Sequence, residues 1–425
     1  MRLLISLLIL LLLFSCKKGE EYALADIQFL SPRNGENYTA GDTVWIEAQI
    51  KSEREIQSIR LSLIEKSTKR IAGDLKYFQT SSTSYHLQHS YVLKDKDWDK
   101  EAYYFELLVN NGKESAAFTS IVINSQRVQR RGFVFIVSNA LELEFYKQIF
   151  PNSFEKFYTT TGSFGASEIN SIDQQLWFIP KQKTNAIVFD LKNNLVIQQL
   201  PAPTTQQTDA FSNLYMDNRQ VFIALTNGTL EGYNYQLIKN FIYTSSEGYH
   251  PTHLDVYGEY ILVVEKPKVF GQSKISLLYR ISGGVVSHSI LSKNVVGLCM
   301  YSEDKAFLAV QNPTGLELLN YDIQRGAATS LLHRNSPNEK LLLFKEISKG
   351  EFLLVSNQSV VNYKLPYEVV KTIHQVLDFA YYDTLENELL LVNEDTLFIR
   401  DAQTLSLKRS IVLPFQLEAA LPWNE

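Results

Sequence analysis

Along residues 43–50 the side chains alternate in character. Val44, Ile46, Ala48 and Ile50 are apolar, whereas Trp45, Glu47 and Gln49 between them are large or polar. An extended strand sends successive side chains to opposite sides, so this spacing predicts a strand with one face in a core and one toward water. The same period recurs at Ile56–Ile64, Tyr85–Leu93, Ala102–Val109 and Ala116–Ile123, broken by polar or glycine-containing segments such as Asn110-Asn111-Gly112-Lys113. So many short strands within about a hundred residues predict a β-sandwich spanning 26–125.

From Phe133 onward, repetition becomes the dominant signal. Apolar strands fall at Phe133–Val137, Leu176–Ile179, Val221–Leu225, Tyr260–Val264, Ala306–Val310, Glu351–Val355 and Glu388–Val392. Each is followed by a second strand, ending at Tyr146, Phe189, Tyr233, Tyr279, Tyr321, Tyr363 and Arg400, positions separated by 37 to 46 residues. The fifth copy shows the whole unit: Val296–Tyr301, a turn through Ser302-Glu303-Asp304-Lys305, then Ala306–Val310, Leu316–Tyr321 and Ala328–Leu332. Four short strands in about 40 residues make one blade of a β-propeller, in which each sheet packs face to face on its neighbours. Residues 133–425 therefore read as a seven-bladed β-propeller. The first copy begins at its central strand, and the chain ends in a spare stretch, Leu417–Trp423. Placing that stretch as the missing inner strand closes the ring and removes an exposed sheet edge.

The N-terminus has a different pattern. Arg2 precedes a run from Leu3 to Phe14 that is apolar except for Ser6, then Ser15, Cys16 and the lysines 17 and 18. A charged start, a short apolar core and a small residue before the break make a signal peptide over 1–15. The run is shorter than the roughly 20 residues a permanent spanning helix needs. Leu13-Phe14-Ser15-Cys16 resembles the lipobox of bacterial lipoproteins, which implies a lipid on the Cys16 thiol and a mature chain tethered to a membrane by its N-terminus. Residues 16–25 then form a tether, and Lys17-Lys18-Gly19-Glu20-Glu21 resembles tags that direct some diderm lipoproteins to the outer face of the outer membrane. The expected location is the cell envelope, anchored to the outer membrane and either periplasmic or surface-exposed. Residues 126–132, with Arg127, Arg130 and Arg131, read as a solvated linker.

Two further resemblances concern fold. Ser31-Pro32-Arg33-Asn34-Gly35, Tyr38, Gly41-Asp42 and Val44 resemble the first strands of bacterial immunoglobulin-like or fibronectin-like modules, which space or present other domains. The repeats resemble YVTN-type and lactonase-like seven-bladed propellers, most closely along His250-Pro251-Thr252-His253-Leu254-Asp255-Val256-Tyr257-Gly258-Glu259-Tyr260 and the strand after it. The expected fold is all-β: an N-terminal immunoglobulin-like β-sandwich followed by a seven-bladed β-propeller.

Composition narrows the function classes. With 45% hydrophobic and 20% charged residues, the 425-residue chain can bury large cores and is not wholly disordered. Acidic residues (46) outnumber Lys plus Arg (41), which argues against a nucleic-acid partner. Tyr (23) and Phe (24) against 3 Met favour strands over helices.

Candidate chemistry is sparse. Cys299 sits in the apolar run Val295–Tyr301 and reads as a small core hydrophobe. His250 and His253 are candidate metal ligands by type, but strand alternation puts residues three apart on opposite faces unless a loop brings them together. Asp95, Asp97, Asp99 and Glu106 echo a calcium loop, but Lys100 stands where the sharp-turn glycine belongs and Tyr103–Val109 reads as a strand, leaving a solvated turn. Asp190, Asp322 and Asp401 recur at strand ends, where a carboxylate binds turn amides. Tyr158, Phe164, Phe211, Tyr243, Tyr249 and Phe270 lie in or near connections and are expected mainly to pack between blades. No nucleophile elbow, Walker loop or dinucleotide fingerprint is present. The expectation is a non-enzymatic binding or scaffold protein with no catalytic residues, metal or cofactor, its partners being the membrane through its lipid and an envelope protein or glycan. The rival expectation, implied only by the lactonase-like resemblance, is a hydrolase or lyase acting on a sugar lactone or polysaccharide.

Overall fold

A computed structural model describes residues 23–66, 69–93, 102–124, 130–139, 142–150, 153–204, 208–217, 220–334, 336–365 and 368–424. Cys16 and the Asp95, Asp97 and Asp99 group lie outside these residues. The chain divides into two compact units, 1–67 with 71–125 and 68–70 with 126–425. Among the described residues no helix is long and apolar enough to cross a membrane.

In the first unit, alternation becomes two sheets around one core. One sheet holds Asp26–Ser31, Thr43–Lys51 and Ser84–Val92. The other runs in the order Glu36–Thr39, Glu114–Asn124, Ala102–Asn110, Ser58–Glu65 and Lys76–Phe78. Val44, Ile46, Ala48 and Ile50 are buried with Leu87 from the first sheet, and meet Leu61, Leu63, Phe105, Leu107, Val109 and Ile121 from the second. Trp45, on the opposite face of its strand, is half exposed. The hairpin at Asn110–Lys113 turns through Gly112 at φ 96°, a conformation that costs glycine little, and the Asn110 side chain accepts a bond from the Gly112 amide at 2.8 Å.

Among the described residues the second unit holds seven four-stranded antiparallel sheets, the arrangement of a β-propeller. From its inner strand outward, blade 1 holds Leu417–Asn424, Arg130–Asn139, Glu142–Phe150 and Ser153–Thr161. Blade 2 holds Phe164–Asn170, Gln175–Pro180, Ala186–Asp190 and Leu195–Leu200, and blade 3 holds Phe211–Asp217, Gln220–Leu225, Thr229–Tyr233 and Lys239–Thr244. Blade 4 holds Tyr249–Tyr257, Tyr260–Pro267, Ser273–Tyr279 and Val285–Leu291, and blade 5 holds Val295–Ser302, Lys305–Asn312, Gly315–Asp322 and Ala327–His333. Blade 6 holds Leu341–Ser348, Glu351–Ser356, Ser359–Lys364 and Glu368–His374, and blade 7 holds Phe379–Asp383, Glu388–Asn393, Thr396–Asp401 and Leu407–Val412. Inner strands touch in succession from blade 2 to blade 7; blade 7 then meets Leu417–Asn424, which also touches blade 2, so the ring closes.

The burial pattern follows from this geometry. A central strand has a sheet on each side and is buried on both faces, as in Gln175–Pro180, where every residue is buried and all but Gln175 are apolar. An outer strand meets water, and Val285–Leu291 and Leu407–Val412 are largely exposed. Aromatic side chains fill the wedges between sheets. Phe145 of blade 1 lies 5.2 Å from both Phe178 and Phe189 of blade 2, and Phe307 of blade 5 lies 4.7 Å from Phe352 of blade 6. Such pairs contribute about 1 kcal/mol each beyond area burial.

Blade 1 is made from both ends of the unit. Leu417–Asn424 pairs antiparallel with Arg130–Asn139, placing Ala419, Ala420 and Leu421 at 0% exposure. Trp423 donates its indole N–H to Gln174 Oε1 at 2.7 Å, and the Lys147 ammonium sits 4.2 Å from its ring centre. Arg130, Arg131 and Gly132 differ from the expected solvated linker because they lie in this paired strand. Arg130 is held there by Asp383 and Glu388 of blade 7, so its charge is compensated by two carboxylates with little contact to water.

Candidate functional site

Ionisable side chains from the inner strands meet in one network. Tyr215 of blade 3 donates its hydroxyl to one oxygen of Asp255 in blade 4, and the other oxygen accepts the backbone N–H of Met300 in blade 5 at 2.7 Å. The ammonium of Lys345, from blade 6, lies 5.1 Å from the centre of the Tyr215 ring. Lys345 also acts electrostatically on Glu168 of blade 2, whose carboxylate accepts the Tyr381 hydroxyl of blade 7. Blades 2 to 7 thus each contribute a group. Blade 6 stands across the ring from blades 2 and 3, so the lysine links strands that are distant in the ring order.

Burial sets the protonation of this network. It pushes the Glu168 carboxyl up to about 7, against the opposing pull of Lys345 and the Tyr381 hydroxyl bond. Burial, reinforced by Asp255 beside Tyr215 and by Glu168 beside Tyr381, drives both phenols well above their ordinary range, so both remain hydrogen-bond donors. Glu346 is also raised, chiefly by burial. Arg70, which belongs to this unit by its contacts, lies 5.7 Å over the Tyr257 ring. Burial opposes its charge, but Asp255, Tyr215 and Asp217 more than offset that, raising its pKa.

The neighbouring charges are mostly paired. Arg280 bonds Asp217 at 2.8 Å, Lys274 lies 3.4 Å from Glu265, and Lys293 bonds Glu317 at 2.7 Å. Cys299 is buried, and burial followed by the nearby Asp255 and Glu346 charges pushes its thiol well up, leaving a poor nucleophile. Among the described residues no group of three or more His, Cys, Asp or Glu side chains is placed to hold a metal ion.

The residues singled out by sequence have separate fates. Asp190 accepts the Lys192 amide at 2.8 Å, Asp322 the Arg325 amide at 2.9 Å and Asp401 the Thr404 amide at 2.7 Å, so all three brace turns. Glu106 bonds Arg60 at 2.9 Å within the first unit. Tyr158, Phe164 and Phe211 pack in blade interfaces, and Tyr243 donates its hydroxyl to Glu265 at 2.9 Å. Tyr249 has the Lys274 ammonium 6.0 Å from its ring centre. Phe270, next to Val269 at 79% exposure, is fully exposed in a blade 4 hairpin.

His250 and His253 share a face, contrary to simple alternation. Their strand carries a register shift between Pro251 and His253, so His250 pairs with Lys266 and His253 with Val264, two positions apart on the neighbouring strand. The extra residue restores both imidazoles to one side. Glu168, Tyr215, Lys345 and Tyr381 escaped the sequence reading because each stands alone in its own repeat. The available signal was an ionisable or phenolic residue inside an inner strand, as at Lys345, which directly follows the apolar Leu341–Phe344.

No family model matches the chain, and no curated protein matches it. Among solved structures it is similar to the computationally designed Ika8 protein, with 11% identity and a TM-score of 0.45, covering 68% of this chain and 90% of that one. It is also similar to the Cps50 (Swd1) β-propeller domain of Myceliophteria thermophila, with 11% identity and a TM-score of 0.47, covering 61% and 89% respectively. A protein of unknown function from Bacteroides caccae matches with 9% identity and a TM-score of 0.43, covering 59% of this chain and 99% of that one.

Proposed function

We propose that the protein is a lipid-anchored envelope lipoprotein in which an immunoglobulin-like spacer carries a seven-bladed propeller of the YVTN or lactonase-like type. Cys16 holds the lipid at the outer membrane, and the propeller binds an envelope protein or glycan without chemistry. The observation that carries this reading is the inner-strand network. Its acids, phenols and lysine come from five blades and are engaged with one another and with a backbone amide of a sixth, which makes a stiff platform for exposed loops. An exposed aromatic such as Phe270 on such a platform is suited to stacking on a sugar or peptide.

The test is retention of envelope polysaccharides and proteins by the immobilised chain, together with fatty-acid labelling of wild type and Cys16→Ala in cells. Saturable retention and loss of label in the variant support the reading; no saturable partner, or equal labelling, refutes it. A hydrolase or lyase reading is favoured by one observation, the Glu168 carboxyl, which keeps its proton to about pH 7 beside a phenol as a general acid does. Turnover of a sugar lactone or polysaccharide that Glu168→Gln abolishes would establish this second reading in place of the first.

A further inference from the structure

The register shift in the inner strand of blade 4 gathers basic groups on one face. His250, His253 and Lys266 share that face through the pairings of His250 with Lys266 and of His253 with Val264. All three side chains are half-buried. The Nδ1 atom of His250 is buried and has no hydrogen-bond partner. The charges acting on the two imidazoles are those of Lys266 and Lys268, with no carboxylate among them. Lys268 bonds the backbone carbonyl of Asn227 at 2.8 Å. Asp255, two residues beyond His253, has its oxygens committed to Tyr215 and the Met300 amide.

We propose that this face of blade 4, through His250, His253 and Lys266, binds an oxyanion, the carboxylate or phosphate of an acidic glycan. Buried polar groups are normally satisfied, and here the buried His250 Nδ1 has no partner while the His253 Nδ1 meets only the Thr252 hydroxyl, at 3.1 Å, and no carboxylate acts on the half-buried Lys266 ammonium. A neutral imidazole offers one N–H to an anion oxygen and Lys266 offers a charge-assisted bond, a donor set for two or three oxygens on one centre. Burial, together with the neighbouring lysines, holds both imidazoles below the ordinary histidine range, and burial alone lowers Lys266; a bound anion opposes each of these effects. Among the described residues no third metal ligand joins the two histidines, and Lys266 would repel a cation.

The choice of a glycan as the bearer of the anion rests on the proposed function; the anion site itself does not. Calorimetric titration of the full chain at low salt with inorganic phosphate, glucuronate and glucose tests the site, alongside the histidine ring nitrogen shifts in the wild-type protein. The expected result is binding of phosphate or glucuronate but not glucose, shifts at His250 and His253, and at least tenfold weaker binding in Lys266→Met and His250→Gln. Absence of anion binding, or binding that leaves the two rings and both variants unaffected, overturns the proposal. If anions bind here while envelope glycans are not retained, the site stands and the glycan reading falls. If glycans are retained equally by Lys266→Met, the glycan reading stands and the site falls.

Discussion

Replacing Glu168 by glutamine is expected to change stability in a pH-dependent way. Burial raises this carboxyl from 4.5 to about 7 in the folded protein. Below pH 4.5 it is protonated in folded and unfolded chains alike and exerts no linkage. As pH rises from 4.5 to about 7, the unfolded chain releases the proton and the folded one retains it, so folding loses stability across that window and the loss levels off above it. At about 1.4 kcal/mol per pH unit the total reaches about 3 kcal/mol. Glutamine fills nearly the same volume, still accepts the Tyr381 hydroxyl and has no proton to lose. Glu168→Gln should therefore gain on wild type by about 3 kcal/mol between pH 4.5 and pH 8, or on the order of 6 °C in melting temperature for a unit of this size. The assay is thermal unfolding of both proteins at half-unit pH intervals. Lys345→Met removes the opposing cation, which moves the wild-type carboxyl further up and widens the window. A difference between Glu168→Gln and wild type that stays constant with pH, or that turns against the variant as pH rises, would refute the reasoning.

Two other predictions concern the joints of the ring. Arg130→Met leaves Asp383 and Glu388 without their cation and should cost about 3–5 kcal/mol, whereas the triple change Arg130→Met, Asp383→Asn, Glu388→Gln should recover most of it in denaturant unfolding. Leu421→Ala empties a fully buried position in the closing strand and should cost about 2–5 kcal/mol, seen as a lower melting temperature and faster cleavage of blade 1 by protease.

The repeats were legible because a central strand must be apolar on both faces wherever a sheet packs on each side. Val296–Tyr301 and Ala306–Val310 fall inside the observed Val295–Ser302 and Lys305–Asn312, the ends differing by only one or two residues. The stretch Leu417–Trp423 was readable because Ala419, Ala420 and Leu421 form an apolar run and the first repeat lacks an inner strand of its own. Arg130 looked like linker because a charge cluster ordinarily seeks water, and its two carboxylate partners lie more than 250 positions away. The shared face of His250 and His253 was hidden by one unpaired residue, since sequence shows spacing but not register. The Glu168 network was least accessible, because ring closure rather than any local motif brings its members together.

The paired termini of blade 1 also impose an order in time. As the chain is made, Arg130–Asn139 emerges early and waits for Leu417–Asn424 before its sheet can be completed. Six blades therefore stack on an unfinished neighbour until Leu417–Asn424 pairs with it, and that pairing locks the ring.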